Sequence, residues 1–207
     1  MPKVIADMQI FQAVMETISE RGYAGATTRQ IADTAGVSEV TLFRKYGTKA
    51  ELVKRAVAAL VEQTEFESAT QYTGDIRADL RRVLQAYQEA VVLHGQFFFV
   101  LFAELRRTPE LADSFSQPFG LFRSIGQLLA RYQTDGVLKS ENPLHGGAAL
   151  LGPLIYLSMI ERSITGMSIP PVDMEMHIRS FLEGRYQPKA DDMSDIIDDN
   201  SSRNGVG

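Results

Sequence analysis

The chain has 207 residues, 44% of them hydrophobic and 23% charged, with a net charge of -5 from 21 Lys and Arg against 26 Asp and Glu. This is the composition of an ordinary globular protein; it excludes global disorder and a polypeptide built of membrane spans, and the length allows a small domain beside a larger one. The absence of cysteine excludes disulfides, thiolate metal sites and cysteine nucleophiles, and it fits a cytoplasmic setting.

In chain order, Val4, Ile5, Met8, Phe11, Met15 and Ile18 recur at intervals of three and four, the stripe of a first helix, with Gly22 placed as its C-cap. Thr27 or Thr28 caps a second helix carrying Ile31, Ala32 and Ala35, which Gly36 closes. Ser38 caps a third helix through Tyr46, and Thr48 with Glu51 three residues on predicts a fourth, reaching about residue 66. Beyond 75 the periodicity is helical throughout. Breaks at Pro109, Pro118, 135–143 and Pro170-Pro171, with a division at residue 95, give helices over roughly 75–94, 96–107, 119–134, 144–165 and 173–186, with a short turn near 110–116. After Pro188, an acidic run containing Ser, Asn and Gly lacks the apolar surface to order itself. Apolar runs at 97–102 and 148–160 are too short or too interrupted to cross a bilayer, and the opening MPKVIADMQ lacks a signal peptide's apolar core, so no membrane partner is expected.

The stretch TTRQIADTAGVSEVTLFRKYGTK joins two short helices through a turn on Gly36, which is a helix-turn-helix. A second helix of that kind fits the major groove while its neighbour crosses the backbone. Leu42 faces the core, and Glu39, Val40, Thr41, Arg44 and Lys45 can reach base edges or phosphates. Phosphate contacts are expected from Thr27, Thr28 and Arg29 at the start of helix two, Ser38 at the start of helix three, and Thr48 and Lys49 at the start of helix four. Phe43 and Tyr46 complete the expected DNA-facing set, with Phe43 contributing mainly packing. Residues 1–60 carry eight Lys and Arg against six Asp and Glu, residues 61–187 eleven against fifteen, and the last twenty two against five. The helix-turn-helix therefore lies in the one net-positive part of an acidic chain.

The order TTRQIADTAGVSEVTLFRKYGTKAELV, preceded by ERGYAGAT, resembles the TetR and AcrR family of bacterial transcriptional regulators over residues 8 to about 56. The resemblance implies a homodimer in which each N-terminal domain reads half an operator while the C-terminal domain dimerises and binds a small molecule. It also implies that Glu39, Val40, Thr41, Phe43, Arg44 and Lys45 face DNA and that Thr28 and Lys49 touch phosphate. Two positions depart from the pattern. Phe43 stands where the family usually has a tyrosine whose hydroxyl meets a phosphate, and Glu39 is repelled by the backbone unless it accepts from a cytosine amine.

In the C-terminal part, HGQFFFVLFAELRR and aromatic residues from other helices supply walls for a cavity holding a small, largely apolar effector, with Phe98, Phe102, Phe119, Phe122, Tyr156 and Met159 as candidate contacts. For the dimer, Gly146, Gly147, Ala149 and Gly152 let two helices approach closely. Leu150, Leu154, Leu157, Ile164, Ile178, Phe181 and Leu182 are the expected interface of a four-helix contact. His94, His145 and His177 are scattered, no catalytic motif is present, and Glu104 and Glu161 are expected to pair with Arg106 and Arg162, so no enzyme, metal or cofactor is expected.

The expected architecture is an all-α chain of about nine helices. A helix-turn-helix DNA-binding domain occupies 1–47, a linking helix 48–66, a helical effector-binding and dimerisation domain 67–187, and a disordered acidic tail 188–207. The expected function is a sequence-specific DNA-binding transcriptional regulator, a ligand-responsive repressor acting as a homodimer on a palindromic double-stranded operator. The alternative is an all-helical small-molecule-binding protein that no longer reads DNA.

Overall fold

The computed structural model describes residues 7–186; Val4, Ile5 and the expected tail at 188–207 lie outside the described residues. Within them the chain is all-helical, with nine α-helices, one 3-10 segment and a single isolated bridge between Leu138 and Tyr186. α1 (Asp7–Gly25) buries Phe11 and Ile18 of the stripe read from the sequence, with Met8 and Met15 half-buried against the same core, and adds Ile10 and Val14, which that stripe did not include. Gly22 breaks its ladder with φ 73 and ψ 163, which re-aims the last turn and carries Tyr23 into the core. That left-handed value is open to glycine without a Cβ clash.

α2 (Thr28–Ala35), α3 (Glu39–Tyr46) and α4 (Lys49–Glu62) follow as predicted, except that α4 stops short of 66 and a single turn, α5 (Phe66–Ala69), replaces its end. α6 (Ile76–Glu104) is one helix of 29 residues, about 43 Å long at 1.5 Å per residue. The expected break at Gly95 does not occur, because glycine within a helix costs only about 1 kcal/mol and packing on both sides outweighs it. The 3-10 segment Pro109–Phe115 leads into α7 (Ser116–Thr134). Pro118, expected as a breaker, sits in α7's first turn, where its missing N–H would have had no partner. α8 (Pro143–Ser163) and α9 (Met174–Glu183) are capped by Asn142 and Asp173.

Two cores result. α1 to α4 surround one, and it is completed by Phe97 and Leu101 from the end of α6 and by Leu111 and Phe115. The second gathers α5 to α9 around Leu80, Leu84, Leu129, Tyr132, Leu150 and Ile178. Packing is therefore continuous past residue 66. The second core contains a fully buried carboxylate, Asp79, which accepts from the Thr73 amide at 2.9 Å, Tyr132 Oη at 2.5 Å and Arg82 at 2.8 Å, as well as from the Thr73 hydroxyl. Burial alone would raise its pKa; the hydrogen bonds from Thr73 and Tyr132 outweigh that and hold it below the usual carboxylate value.

The expected dimer residues are corrected by this packing. Leu150, Leu154, Ile178, Phe181 and Leu182 are buried within the chain itself, and Leu157 is half-buried, leaving Ile164 exposed. Gly146 and Gly147 face α7 instead of a partner: a Cβ on Gly146 would lie 3.0 Å from Leu129, and one on Gly147 3.5 Å from Phe122. The exposed residues of α8 include Leu144, His145, Ala148, Pro153 and Tyr156, with Met176 of α9 also exposed. By length and composition Pro143–Ser163 is apolar enough to cross a membrane, contrary to expectation, with a mean hydropathy of 1.3 and only 28% of that window buried in the chain.

Candidate DNA-reading surface and effector cavity

The turn between α2 and α3 is fixed locally. Thr27 accepts from the Gln30 amide while the Gln30 side chain accepts from the Thr27 amide at 2.9 Å, a reciprocal cap, and Gly36 closes α2 at φ 69 and ψ 31. Ser38 accepts from the Thr41 amide at 3.2 Å and meets the Thr41 hydroxyl at 2.8 Å. Leu42 and Tyr46 turn inward against Phe11 and its neighbours, so the opposite side of α3 is presented outward.

That outward side carries Val40, 75% exposed, Phe43, 49% exposed, and Arg44, with Arg29, Thr27, Ser38 and Thr48 at the helix starts around it. Phe43 is thus a surface ring and not mainly packing. Arg44 and Arg29 have no carboxylate partner among the described residues. Glu39 and Thr41 are half-buried, and the Thr28 hydroxyl donates to Glu39 at 2.5 Å, tying the two helices together. This bond engages the hydroxyl expected at a phosphate and turns the acidic side chain toward its own protein.

Three of the expected DNA contacts are engaged within the chain itself, two of them turned inward and Lys45 exposed. Tyr46 is buried, and its hydroxyl donates to Asp7 at 2.8 Å. Lys45 pairs with the same Asp7 carboxylate, and the hydrogen bonds from Lys45 and Tyr46 hold Asp7 below the usual carboxylate range. Lys49 folds back under α1, where its ammonium donates to the carbonyls of Tyr23 at 2.7 Å and Ala26 at 2.9 Å and lies 4.0 Å from the Tyr23 ring centroid. Burial lowers its pKa, partly offset by Glu110. Tyr23 in turn donates to Glu110 at 2.8 Å, so the end of α1, the start of α4 and the 3-10 segment share one polar junction. The chain's spacing gave no signal for this junction, since Tyr23 and Glu110 are 87 residues apart.

A cavity of about 430 Å³ opens between α4, α6, α7 and α8. Phe98, Phe102, Phe119, Phe122 and Met159 line it as expected; Tyr156 does not, being 64% exposed on the outer face of α8. Leu60 and Val61 of α4, Thr64 just beyond it and Phe115 of the 3-10 segment complete the wall. Tyr87, one of the aromatic residues expected to wall a cavity, forms its more polar end with His94, Gly95, Ser158 and Arg162, which sequence reasoning missed. Burial lowers the His94 pKa and raises that of the Tyr87 phenol. The expected Glu161–Arg162 and Glu104–Arg106 pairs do not form: Glu161 accepts from the Ile169 amide, and Arg162 donates to the Val91 carbonyl at 3.0 Å. His145 is exposed and His177 bonds the Leu150 carbonyl at 2.7 Å, so the three histidines do not converge.

Residues 10–56 match the family model described as bacterial regulatory proteins, tetR family. The uncharacterised HTH-type transcriptional regulator Rv1556 of Mycobacterium tuberculosis (strain ATCC 25618 / H37Rv) is 27% identical over 113 residues, covering 55% of this chain and 54% of that protein. The chain's match thus spans about half the length of such curated relatives. Among solved structures, a TetR-family transcriptional regulator from Mesorhizobium loti MAFF303099 is similar with a TM-score of 0.69 and 21% identity over 87% of this chain and 96% of that one. The TetR-family regulator PfmR from Thermus thermophilus is similar with a TM-score of 0.63 and 17% identity, covering 84% of this chain and 94% of its own. These two likenesses are of fold.

Proposed function

We propose that this chain, which belongs to the tetR family of DNA-binding transcriptional regulators, represses transcription as a homodimer on a palindromic operator and is released by a small, largely apolar effector. The observation that carries this is the placement of α4. Its last residues, with Thr64 just beyond them, line the cavity, and its first residue, Lys49, grips the end of α1 beside the recognition helix. A helix of 14 residues spans about 21 Å, so a displacement at the cavity is delivered to the DNA-reading end. An effector that favours one position of α4 changes the separation of two recognition helices, and by linkage DNA weakens effector binding by the same factor.

The dimer is supported by the exposed apolar face of α8 and by the reach of one recognition helix, which reads few bases. Two half-sites about 34–36 Å apart supply the rest. In this reading Val40 and Phe43 meet thymine methyls and Arg44 meets guanine, while Arg29 and the hydroxyls of Thr27, Ser38 and Thr48 meet phosphates.

The test is selection of bound fragments from a random duplex library, with the mass of the complex measured by sedimentation. A palindrome bound by two chains is the expected result, and Arg44→Ala should weaken it by about 1–3 kcal/mol and relax preference at one position per half-site. Binding that only tracks salt, with no enriched sequence, would overturn the operator reading in favour of a small-molecule-binding protein that no longer reads DNA.

A further inference from the structure

Apart from Thr64 beside α4, the proposed effector cavity is aromatic and aliphatic except where α6 meets α8. There the guanidinium of Arg162 lies directly against Gly95: a Cβ at residue 95 would sit 2.5 Å from one terminal nitrogen and 2.9 Å from the guanidinium carbon. A glycine in the middle of a long helix is what makes room for it. One nitrogen donates to the Val91 carbonyl at 3.0 Å, which anchors the group beside α6. A guanidinium has five N–H donors, so several are left for another acceptor.

No carboxylate lies within 4 Å of Arg162 among the described residues, and it is the one permanently charged group lining the cavity. The neighbouring groups do not neutralise it. Ser158 is engaged with the Ile155 carbonyl at 2.9 Å, and burial disfavours the charged forms of both His94 and Tyr87. A fixed cation at the edge of an apolar cavity is costly unless an anion meets it, and a carboxylate matches the guanidinium fork with two parallel bonds.

We propose that the effector is an apolar monocarboxylate, its carboxylate held by Arg162 at Gly95 and its hydrocarbon or aryl body lying against Phe98, Phe119 and Phe122. The inference rests on the assignment of this cavity as the effector site. A dianionic phosphate ester fits less well, because no second permanent cation lines the cavity.

The experiment is calorimetric titration of the full chain with decanoate and with 2-naphthylacetate, each beside its neutral primary amide. One pair represents aliphatic sources and the other aromatic ones. The expected result is that at least one carboxylate binds about tenfold or more tightly than its amide. Arg162→Met should abolish that preference while both forms still bind. Gly95→Ala, which keeps the charge and displaces the guanidinium, should reduce it, with thermal unfolding confirming that both variants fold. Amides binding as well as carboxylates would overturn the anion preference and leave the cavity assignment standing. Failure of all four probes to bind would overturn the cavity assignment and this inference together.

Discussion

Replacing Lys49 by methionine separates two roles that one lysine at the head of α4 could have. The structure turns its ammonium inward, onto two carbonyls at the end of α1 and over the Tyr23 ring. Those carbonyls belong to a helix C-terminus, where acceptors lack intrahelical partners and a cation is favoured. A hydrogen bond to a charged group contributes about 1.5–3 kcal/mol and a cation over a tyrosine about 0.5–2 kcal/mol. The contributions overlap in one small junction, and burial opposes the charge, so Lys49→Met should cost about 2–3 kcal/mol in urea unfolding while its methylene stem is kept. Operator affinity measured across salt concentrations should retain its slope. If Lys49 instead neutralised a phosphate, the slope would fall by about 0.9 per subunit and stability would barely change. That second pattern would refute the inward placement and restore the phosphate contact that the sequence suggests.

Asp79→Asn should destabilise the second core by about 3–5 kcal/mol, because Thr73, Tyr132 and Arg82 all donate to a carboxylate with no exposed surface. In a chain of this length that corresponds to a fall of roughly 10 °C in Tm. The folded pKa of Asp79 is depressed, so its contribution is complete above the ordinary carboxylate pKa of about 4 and is lost as pH falls through the lower folded value. The gap between the native chain and Asp79→Asn should therefore be constant near neutrality and close in acid; a gap that widened on acidification would contradict the hydrogen-bond account. On the outer face of α8, Tyr156→Asp should give monomers in sedimentation with little change in the unfolding of the chain. Leu150→Ala should cost about 2–5 kcal/mol of fold stability instead. The opposite pairing of effects would return the interface to the residues predicted from sequence.

The helix-turn-helix was legible because its signals are local. Thr27, Gly36, Ser38 and Thr48 act within a few positions of themselves, and each cap formed where it was expected. The distinction between α3's inner and outer sides was legible for Leu42, Val40 and the exposed Lys45 but not for Tyr46; the Asp7 carboxylate that both Tyr46 and Lys45 meet is nearly forty positions away. In α8 and α9 the apolar residues were identified and their direction was not: a stripe of leucines fits a neighbouring helix and a second subunit equally well. Gly95 was misread for a related reason. Glycine signals either a chain that stops or a chain that is approached closely, and the deciding group, Arg162, lies on another helix.

Phe97 and Phe98 are adjacent on α6, yet Phe97 is buried in the core of the DNA-reading helices while Phe98 forms the cavity wall, and their rings meet edge-on with centroids 5.7 Å apart. Selection for a new effector would act first on wall positions such as Phe98, and here any change of shape is felt at once by the neighbouring ring. Under the proposed function, effector preference and operator affinity would thus not be independently heritable traits in this chain. Variants selected for altered induction should carry basal expression changes with them, and compensating substitutions should collect around Phe97 before they appear on the recognition helix.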